Sequence, residues 1–310
     1  YTNSVFAQGT TLFAATYNAG VFKSTNNGSS WTAANNGISG NEIYCFAGDG
    51  TNLFAGTPSG IYYSANNGTS WTSVNNGLTN TTVYALTILG TNIYAATYGG
   101  IFSSSNNGAS WSASNLGITN TYIRSITNDG TNLFAGSPGG GVYTSSDNGA
   151  TWTNVNSGLS NTQVWALAKN GNNLFAGVNN GGGIFYSNSN GNSWSQRNNG
   201  LASVNVNCLS KIGSTILAGT NSGIYSSTNA GSSWVTLNNG LTQINNATAI
   251  TVVGSNIFRA TNQGIYLSSN NGTTWTAVNN GLTNTNVWTL ATDGTNVYAG
   301  TGGGGVFVSS

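Results

Sequence analysis

Apolar and polar residues alternate along short stretches of the chain, and Gly-containing turns separate these stretches. In the second of several similar units, residues 43–47, 53–57 and 61–64 are three such stretches, and residues 71–74 form a fourth. Alternation with a period of two and enrichment in aromatic and β-branched residues are typical of antiparallel strands. No window shows a helical period bounded by capping residues. The pattern predicts an all-β chain built from four-stranded units.

One eight-residue segment recurs between the third and fourth strand of these units, and we call it the tryptophan turn. In the second unit it is Ser-Ala-Asn-Asn-Gly-Thr-Ser-Trp, residues 64–71. Asn and Gly tolerate the positive φ angles of a hairpin turn, and the Trp brings a large apolar surface to the next strand. Seven copies end, 40 to 42 residues apart, at Trp31, Trp71, Trp111, Trp152, Trp194, Trp234 and Trp275. A fixed period of this size indicates a repeat architecture.

The motif Ser-x-Asn/Asp-x-Gly-x-Ser/Thr-Trp resembles the Asp-box (BNR) repeat of sialidases, certain plant-wall glycosidases, sortilin-type receptors and photosystem assembly factors. The resemblance covers nearly the whole chain and implies a β-propeller. It leaves the activity open, because this family includes enzymes, receptors and scaffolds. The family usually has Asp at the third position of the motif, and only Asp147 keeps it here. We therefore expect the turns, with their tryptophans, to be structural and not to bind cations.

The number of strand motifs predicts the number of blades. Three motifs occur eight times each and the Trp strand occurs seven times, which gives thirty-one strands. We assign the starts of the first strands to Val5, Ile43, Val83, Ile123, Val164, Val206, Ala247 and Val287. Four-stranded antiparallel units arranged radially form a β-propeller. The prediction is one propeller domain over residues 1–310 with eight blades, the last without its outer strand; the alternative is seven blades plus extra strands.

The third strand of the last unit, residues 306–309, has no Trp strand after it in this sequence. Neither charge nor Pro blocks this apolar edge, and such an edge is a template for pairing with another strand. Tyr1 to Asn3 are too few to supply that strand. We therefore expect a strand from outside these residues to pair here, from the same polypeptide or from a neighbouring copy, and self-association through this edge is one outcome.

The two cysteines are predicted to be buried free thiols. Cys45 and Cys208 occupy the same first-strand position, which holds a small residue in the other units. They belong to the second and sixth units, opposite each other in a ring of eight. A disulfide needs Cα atoms within about 7 Å, so the two are not expected to pair.

Charge is scarce in this chain. Six Lys and Arg and five Asp and Glu make up 4% of the 310 residues, and the net charge is +1. Nucleic-acid binding needs a basic surface, and a membrane span needs about 20 consecutive apolar residues, so neither partner is predicted. A polar, charge-poor repeat rich in Gly, Asn and Thr favours an extracellular or cell-surface location.

The sequence does not contain the residues that most hydrolases need. Without His, neither a Ser-His-Asp triad nor an ordinary zinc site can form, and no cofactor or metal is predicted. Glycoside hydrolysis generally uses two carboxylates flanking one bond. Of five acids, four lie in turns, and only Glu42 stands at the start of a first strand. The sialidase resemblance implies an arginine cluster, but Arg124, Arg197 and Arg259 fall in different layers of a blade. We expect no enzymatic activity.

The second residue of each first strand varies far more than its neighbours. Around the ring it reads Phe6, Tyr44, Tyr84, Arg124, Trp165, Asn207, Thr248 and Trp288. We call these positions the variable row. Tyr17 and Tyr98 in the loops between second and third strands, together with Glu42, are expected on the same face. Such aromatic residues either bind a partner or pack between adjacent blades.

Two classes of function follow from these observations. The first is a non-catalytic extracellular module for binding, adhesion or scaffolding, with a protein or glycan partner at the cell surface and with self-assembly as one form. The second is a lectin-like propeller that binds carbohydrate through the variable row. A degenerate glycosidase is disfavoured by the supply of acids.

Overall fold

The computed structural model describes residues 2–16, 19–25, 32–40, 42–212, 214–237, 248–253, 256–270, 274–292, 295–302 and 304–309. These residues form thirty-one strands and contain no helix. Accordingly, no described helix is long and apolar enough to cross a bilayer.

The strands fall into four sets that repeat in chain order. The first strands are β1 (Thr2–Gln8), β5 (Cys45–Gly48), β9 (Val83–Leu89), β13 (Ser125–Asn128), β17 (Val164–Asn170), β21 (Val206–Ile212), β25 (Ala249–Val253) and β29 (Val287–Thr292). The second strands are β2 (Thr11–Thr16), β6 (Leu53–Thr57), β10 (Asn92–Thr97), β14 (Leu133–Ser137), β18 (Asn173–Val178), β22 (Thr215–Thr220), β26 (Asn256–Thr261) and β30 (Val297–Thr301).

The third strands are β3 (Val21–Ser24), β7 (Gly60–Ser64), β11 (Gly100–Ser104), β15 (Gly141–Ser145), β19 (Gly183–Ser187), β23 (Gly223–Ser227), β27 (Gly264–Ser268) and β31 (Gly305–Ser309). The fourth strands have two residues each and are β4 (Thr32–Ala33), β8 (Thr72–Ser73), β12 (Ser112–Ala113), β16 (Thr153–Asn154), β20 (Ser195–Gln196), β24 (Val235–Thr236) and β28 (Thr276–Ala277).

Each sheet is an antiparallel meander in which the four strands lie side by side in chain order. Seven sheets have four strands, and the last described sheet has three, β29, β30 and β31. The first strands contact one another in sequence around the molecule, and β1 also contacts β29. These contacts close a ring of eight blades with the first strands innermost. The fold is a β-propeller, so the eight-blade prediction is confirmed and the seven-blade alternative is wrong.

The hydrophobic core consists of the interfaces between successive blades. Every residue of β6 is buried, because both faces of this strand pack against a neighbouring blade. The same holds for β14 and β30, whereas both residues of each fourth strand are exposed. A blade cannot bury both of its faces alone, so its stability depends on its neighbours.

The tryptophan turn is held by its own short polar side chains. In the second blade the Ser64 hydroxyl accepts the Gly68 N–H at 2.8 Å and donates to Asn66 Oδ1 at 2.9 Å. Asn66 Oδ1 also accepts the Ser70 N–H at 2.9 Å. Asn67 and Gly68 have φ of 53° and 73°, the left-handed region that Asn and Gly tolerate. The turn therefore fixes the direction in which the following Trp leaves it.

Trp71 joins the second blade to the first. Its ring is 4% exposed, and its indole N–H donates to the carbonyl of Ala34 at 2.8 Å. Its backbone N–H donates to the carbonyl of Asn36, also at 2.8 Å. The Trp carbonyl passes so close to Gly37 that a Cβ there would overlap it.

The turn tryptophans of the later blades are similarly buried. They are Trp111, Trp152, Trp194, Trp234 and Trp275, each at most 6% exposed. The expectation that these residues are structural agrees with this burial. Trp31 lies outside the described residues.

The assignment of the first blade from the sequence was wrong by three residues. In β1, Ser4 pairs with Ala15 as Cys45 pairs with Gly56, so the position equivalent to Tyr44 is Asn3 and not Phe6. Phe6 pairs with Phe13, and its ring lies 6.2 Å from that of Phe46 in the core between the first two blades. Phe6 is therefore a packing residue and not a member of the variable row.

The described thiol, that of Cys45, is free. Burial raises its pKa to about 12, although a hydrogen bond from the Gly56 backbone and the charge of Arg124 oppose the rise. The side chain of Cys208 lies outside the described set.

We predict that Trp71→Ala lowers the free energy of unfolding by about 3–5 kcal/mol, because it removes a buried aromatic ring and the contact between two blades. Asn67→Ala should cost less, since it changes one turn position. Chemical denaturation of the two variants measures both effects. A melting temperature unchanged by Trp71→Ala would contradict the role of this residue in joining the blades.

A second prediction concerns Arg259, which is completely buried in β26. Loss of hydration lowers its pKa to about 10, although Tyr266 opposes this shift. The same second-strand position is Ala in the other blades, at Ala14, Ala55, Ala95, Ala135, Ala176, Ala218 and Ala299. Because the folded state disfavours the charged guanidinium, its burial lowers the free energy of unfolding by the full amount at pH 7. This loss is relieved only as the pH rises through 10 towards the pKa of the unfolded state.

Arg259→Ala and the volume-preserving Arg259→Met should therefore raise the stability at pH 7, by about 1–3 kcal/mol. Thermal unfolding of both variants checks this expectation. Destabilisation by both substitutions would mean that the contacts of the guanidinium outweigh its desolvation.

Candidate functional site

The two ends of the ring carry different parts of the chain. The first strands begin at one end, where the loops between second and third strands also lie, and we call this end the loop face. The other end carries the hairpins between first and second strands and the tryptophan turns, and we call it the turn face. Tyr98, from a second-to-third-strand loop, lies 5.2 Å from Tyr122, which precedes a first strand. This contact confirms that both kinds of segment share the loop face.

Four tyrosines of blades two to four form a continuous series on this face. The rings of Tyr44 and Tyr84 are stacked, with centroids 6.0 Å apart and planes at 17°. Tyr84 and Tyr122 are 5.5 Å apart and tilted by 54°, and Tyr122 contacts Tyr98. Offset and tilted pairs at these distances are favourable arrangements of aromatic rings. The series therefore extends across three consecutive blades.

Arg124 connects this series to the fifth blade. Its guanidinium carbon lies 5.0 Å from the ring centroid of Tyr84 and 5.6 Å from that of Trp165. A guanidinium over an aromatic ring is held by a cation–π interaction worth roughly 0.5–2 kcal/mol, depending on its exposure. The arginine thus lies between two aromatic side chains of adjacent blades. We name the group Tyr44, Tyr84, Tyr98, Tyr122, Arg124 and Trp165 the aromatic arc.

The local backbone structure explains why these side chains project towards the loop face. Tyr84 and Trp165 interrupt the register of their strands, because the pairing passes from Val83 to Ala85 and from Val164 to Ala166. An extra residue of this kind is a β-bulge, which redirects a side chain. Tyr44 and Arg124 precede their strands, and their N–H groups donate to the carbonyls of Gly56 and Gly136.

The arc combines four phenol rings with one guanidinium and one indole ring. Desolvation raises the pKa of Tyr84, as does its neighbour Tyr122, while the positive charge of Arg124 partly opposes the rise. The phenol therefore stays protonated at neutral pH and offers a hydroxyl group. Trp165 is 39% exposed and Tyr98 is 58% exposed, so the arc is open to solvent at these two residues. Its surface combines apolar rings, hydroxyl groups and a guanidinium.

The residues of the variable row in the sixth to eighth blades make contacts outside the aromatic arc. In the sixth blade Asn207 donates to Asn221 at 3.0 Å, and in the seventh the Thr248 hydroxyl donates to the carbonyl of Val287. Trp288 of the eighth blade is 44% exposed and lies over Gly302, outside the arc. Tyr17 lies outside the described residues. The structure thus brings five of the sequence-predicted site residues together and leaves Trp288 apart.

Glu42 lines a separate surface cavity of about 210 Å³, together with Ser39, Pro58 and Tyr62. The other described acids lie on the turn face. Asp49 and Asp129 close their hairpins by accepting backbone N–H groups at 2.7 to 3.1 Å, and Asp129 also pairs with Lys169 at 3.3 Å. Among the described residues, Glu42 has no second carboxylate on its face of the ring.

The hydrogen bonds of these aspartates also set their pKa values. Desolvation raises the pKa of Asp49, but bonds from the Asn52 side chain and from the Asn52 and Thr51 backbones outweigh it, so the pKa falls. Bonds from the Thr151 side chain and backbone and from Ser145 lower the pKa of Asp147 to about 2. These carboxylates are ionised at neutral pH and are committed to turns. The described residues contain no group of three possible metal ligands.

Sequence reasoning missed Tyr122. It lies just before the first strand of the fourth blade, one position before the apolar residue that marks that strand. The spacing alone did not distinguish it from other linker residues. The available signal was an aromatic residue directly before Ile123, in a linker otherwise made of small polar residues.

No protein-family model matches the chain, and no curated relative matches it. Solved structures do resemble it. The computationally designed protein Ika8 is similar with a TM-score of 0.75 at 12% identity, over 99% of this chain and 95% of the design.

Two natural proteins are also similar. The extracellular domain of the putative one-component system BT4673 from B. thetaiotaomicron has a TM-score of 0.66 at 19% identity, over 86% of this chain. The GH74 enzyme of Niastella koreensis has a TM-score of 0.59 at 17% identity, over 97% of this chain. This chain spans only 38% of the first protein and 62% of the second. At these identities the likeness supports the fold alone.

Proposed function

We propose that the chain is a non-catalytic extracellular binding or scaffold module whose aromatic arc binds a partner protein. The observation that carries the proposal is the arc itself. Six side chains from four blades form one connected cluster on one side of the loop face, with Tyr84 in contact with Tyr44, Tyr122 and Arg124. Residues that only filled gaps between blades would be buried, whereas Trp165 and Tyr98 are exposed.

The chemistry of the arc suits protein recognition. Tyr, Trp and Arg are the residues most enriched among those that dominate binding energy at protein interfaces. Rings that are already stacked lose little conformational entropy on binding. The guanidinium of Arg124 is held by rings and adds a fixed donor for a carbonyl or carboxylate of the partner. Together these features support a peptide or protein surface as the ligand.

Carbohydrate is the second candidate ligand. The exposed ring of Trp165 beside the donors of Arg124 is a suitable surface for stacking a sugar ring and binding its hydroxyl groups. A lectin-like function would use the same arc, so both candidates share one set of variants and differ only in the probe that binds.

An extracellular setting is supported by two observations. The similar BT4673 domain is described as extracellular. The low charge of the chain agrees with this location.

The binding proposal is tested with a random peptide display library and a glycan array, each probed with the wild-type chain and with Tyr84→Ala, Trp165→Ala and Trp288→Ala. Trp288 is the matched control, because it is an exposed Trp of the same row outside the arc. We expect peptide binders whose affinity falls at least about tenfold with the two arc variants and not with Trp288→Ala. The same pattern on glycans alone would favour the lectin. Binders insensitive to both arc variants would overturn the proposal.

The absence of catalysis is a separate prediction. We expect no hydrolysis of sialosides or β-glucans above background, because a lone Glu42 cannot supply both carboxylates. Product formation is followed for the wild-type chain and for Glu42→Gln, which should not differ. Turnover that Glu42→Gln abolishes would show that the chain is a glycosidase.

A further inference from the structure

The surface cavity that Glu42 lines lies in the second blade, between the linker before its first strand and the loop between its second and third strands. Gly40 and Glu42 line it from the linker, and Pro58 and Ser59 line it from the loop. None of its lining residues belongs to the aromatic arc. Since one water needs only ~10–15 Å³ measured in this way, its volume of about 210 Å³ has room for a long side chain.

In other blades an Asn side chain occupies the equivalent gap. The linker position of Gly40 is Asn in the third, fourth, fifth and eighth blades, at Asn80, Asn120, Asn161 and Asn284. The Oδ1 atom of each accepts the backbone N–H two residues further on, at 2.9 to 3.2 Å. In three of these blades Nδ2 also donates to a carbonyl of the loop, as in the eighth blade, where Asn284 donates to Gly302 at 2.9 Å. The Asn therefore joins the linker to the loop.

The second blade differs from this arrangement at two nearby positions. Gly40 has no side chain, its φ is 134°, and no described atom lies within 4 Å of the position of its Cβ. Glu42 stands where the third to sixth and the eighth blades have a neutral residue, namely Thr82, Tyr122, Gln163, Asn205 and Asn286. The two differences together open a cavity and place a carboxylate in its wall.

Glu42 has no ionic partner in the described part of the chain. The ion pair found there is that of Lys169 with Asp129, on the turn face. No described hydrogen bond involves the half-buried Glu42 side chain or its backbone N–H, whose acceptor in the other blades is the Asn that Gly40 replaces. A carboxylate that has lost part of its hydration is stabilised by a cationic hydrogen-bond donor. The cavity therefore suits a cation.

The other walls suit the stem of a basic side chain. Ile38 and Pro58 are apolar, and the Tyr62 hydroxyl is already hydrogen-bonded to that of Ser39 at 2.7 Å. Lys and Arg place their methylene stems along apolar surface while the charged head reaches a polar partner. A guanidinium can form two parallel hydrogen bonds with one carboxylate.

We propose that this cavity binds the cationic side chain of an Arg or Lys residue of a partner polypeptide. The guanidinium or ammonium group pairs with the Glu42 carboxylate, and the methylene stem lies along Ile38 and Pro58. The site is separate from the aromatic arc and does not rest on the function proposed for it.

The test titrates the 310-residue chain with two blocked tripeptides, acetyl-Gly-Arg-Gly-amide and acetyl-Gly-Lys-Gly-amide, and follows binding by ligand-observed NMR. The matched neutral probes have citrulline in place of Arg and norleucine in place of Lys. We expect each neutral probe to bind at least about tenfold more weakly, which is the loss expected for a charged hydrogen-bonded pair. Equal binding of the charged and neutral probes, or no binding of any of them, would overturn the proposal.

Substitutions test the carboxylate and the cavity separately. Glu42→Gln should reduce the binding of the charged peptides to that of the neutral probes. Gly40→Asn restores the residue of the other linkers and should also weaken binding. Since a φ of 134° is unfavourable for Asn, its melting temperature is measured alongside. Undiminished binding by both variants would contradict the proposal.

The third blade provides the matched control. Thr82→Glu places a carboxylate at the position equivalent to Glu42, but Asn80 is present there. Combined with Glu42→Gln, it should not restore binding, because the carboxylate alone does not make the site. Recovery of full binding in this double variant would show that the cavity is not needed and would overturn the proposal.

A free amine is the other source of the same chemistry, and spermidine is the probe for it. Tighter binding of spermidine than of either tripeptide would assign the cavity to a small polyamine and overturn the proposal. Tyr84→Ala and Trp165→Ala should leave tripeptide binding unchanged, so this test and that of the proposed function fail independently.

Discussion

The insertion of a turn tryptophan between two blades, seen from Trp71 to Trp275, is the interaction on which the structure depends. A four-stranded blade exposes two apolar faces, and its second strand is buried only when both neighbours are present. The Trp ring closes the outer part of the interface, and in the second to sixth blades its two N–H groups bond to the preceding blade. With 4% charged residues, the chain has few ion pairs to add. Apolar burial and backbone hydrogen bonds therefore supply most of its stability.

Because the turn tryptophans and the second strands hold the blades together, the residues of the variable row can differ from blade to blade. The row residues lie at bulges or just before the strands, so their side chains are not part of the repeated core. Tyr44, Tyr84, Arg124 and Trp165 contact one another instead of the interior. The fold thus holds these exposed side chains in place without requiring a particular residue there, and this is how one framework can carry unrelated functions.

The sequence predicted most of the fold, because the repeat is nearly constant in length. The number of strands, the unpaired last edge and the burial of the turn tryptophans all follow from the spacing. The first blade is the exception, because the alternation around Val5 and Phe6 indicates a strand that starts at Val5, whereas Ile43 precedes Leu53 by ten residues. Thr2 lies the same ten residues before Leu12, and the first strand of the structure starts there. The arc was only partly predictable from the sequence. Contacts such as that of Tyr98 with Tyr122 depend on the angle between adjacent blades and on which loops of the two blades lie side by side. The burial of Arg259 had no signal beyond its replacement of Ala.

The way the ring closes has a consequence for the edge of the eighth blade. The contact of β1 with β29 joins the first and last blades through their innermost strands. Closure therefore does not depend on an outer strand beside β31, whose residues are half-exposed where those of β7 are buried.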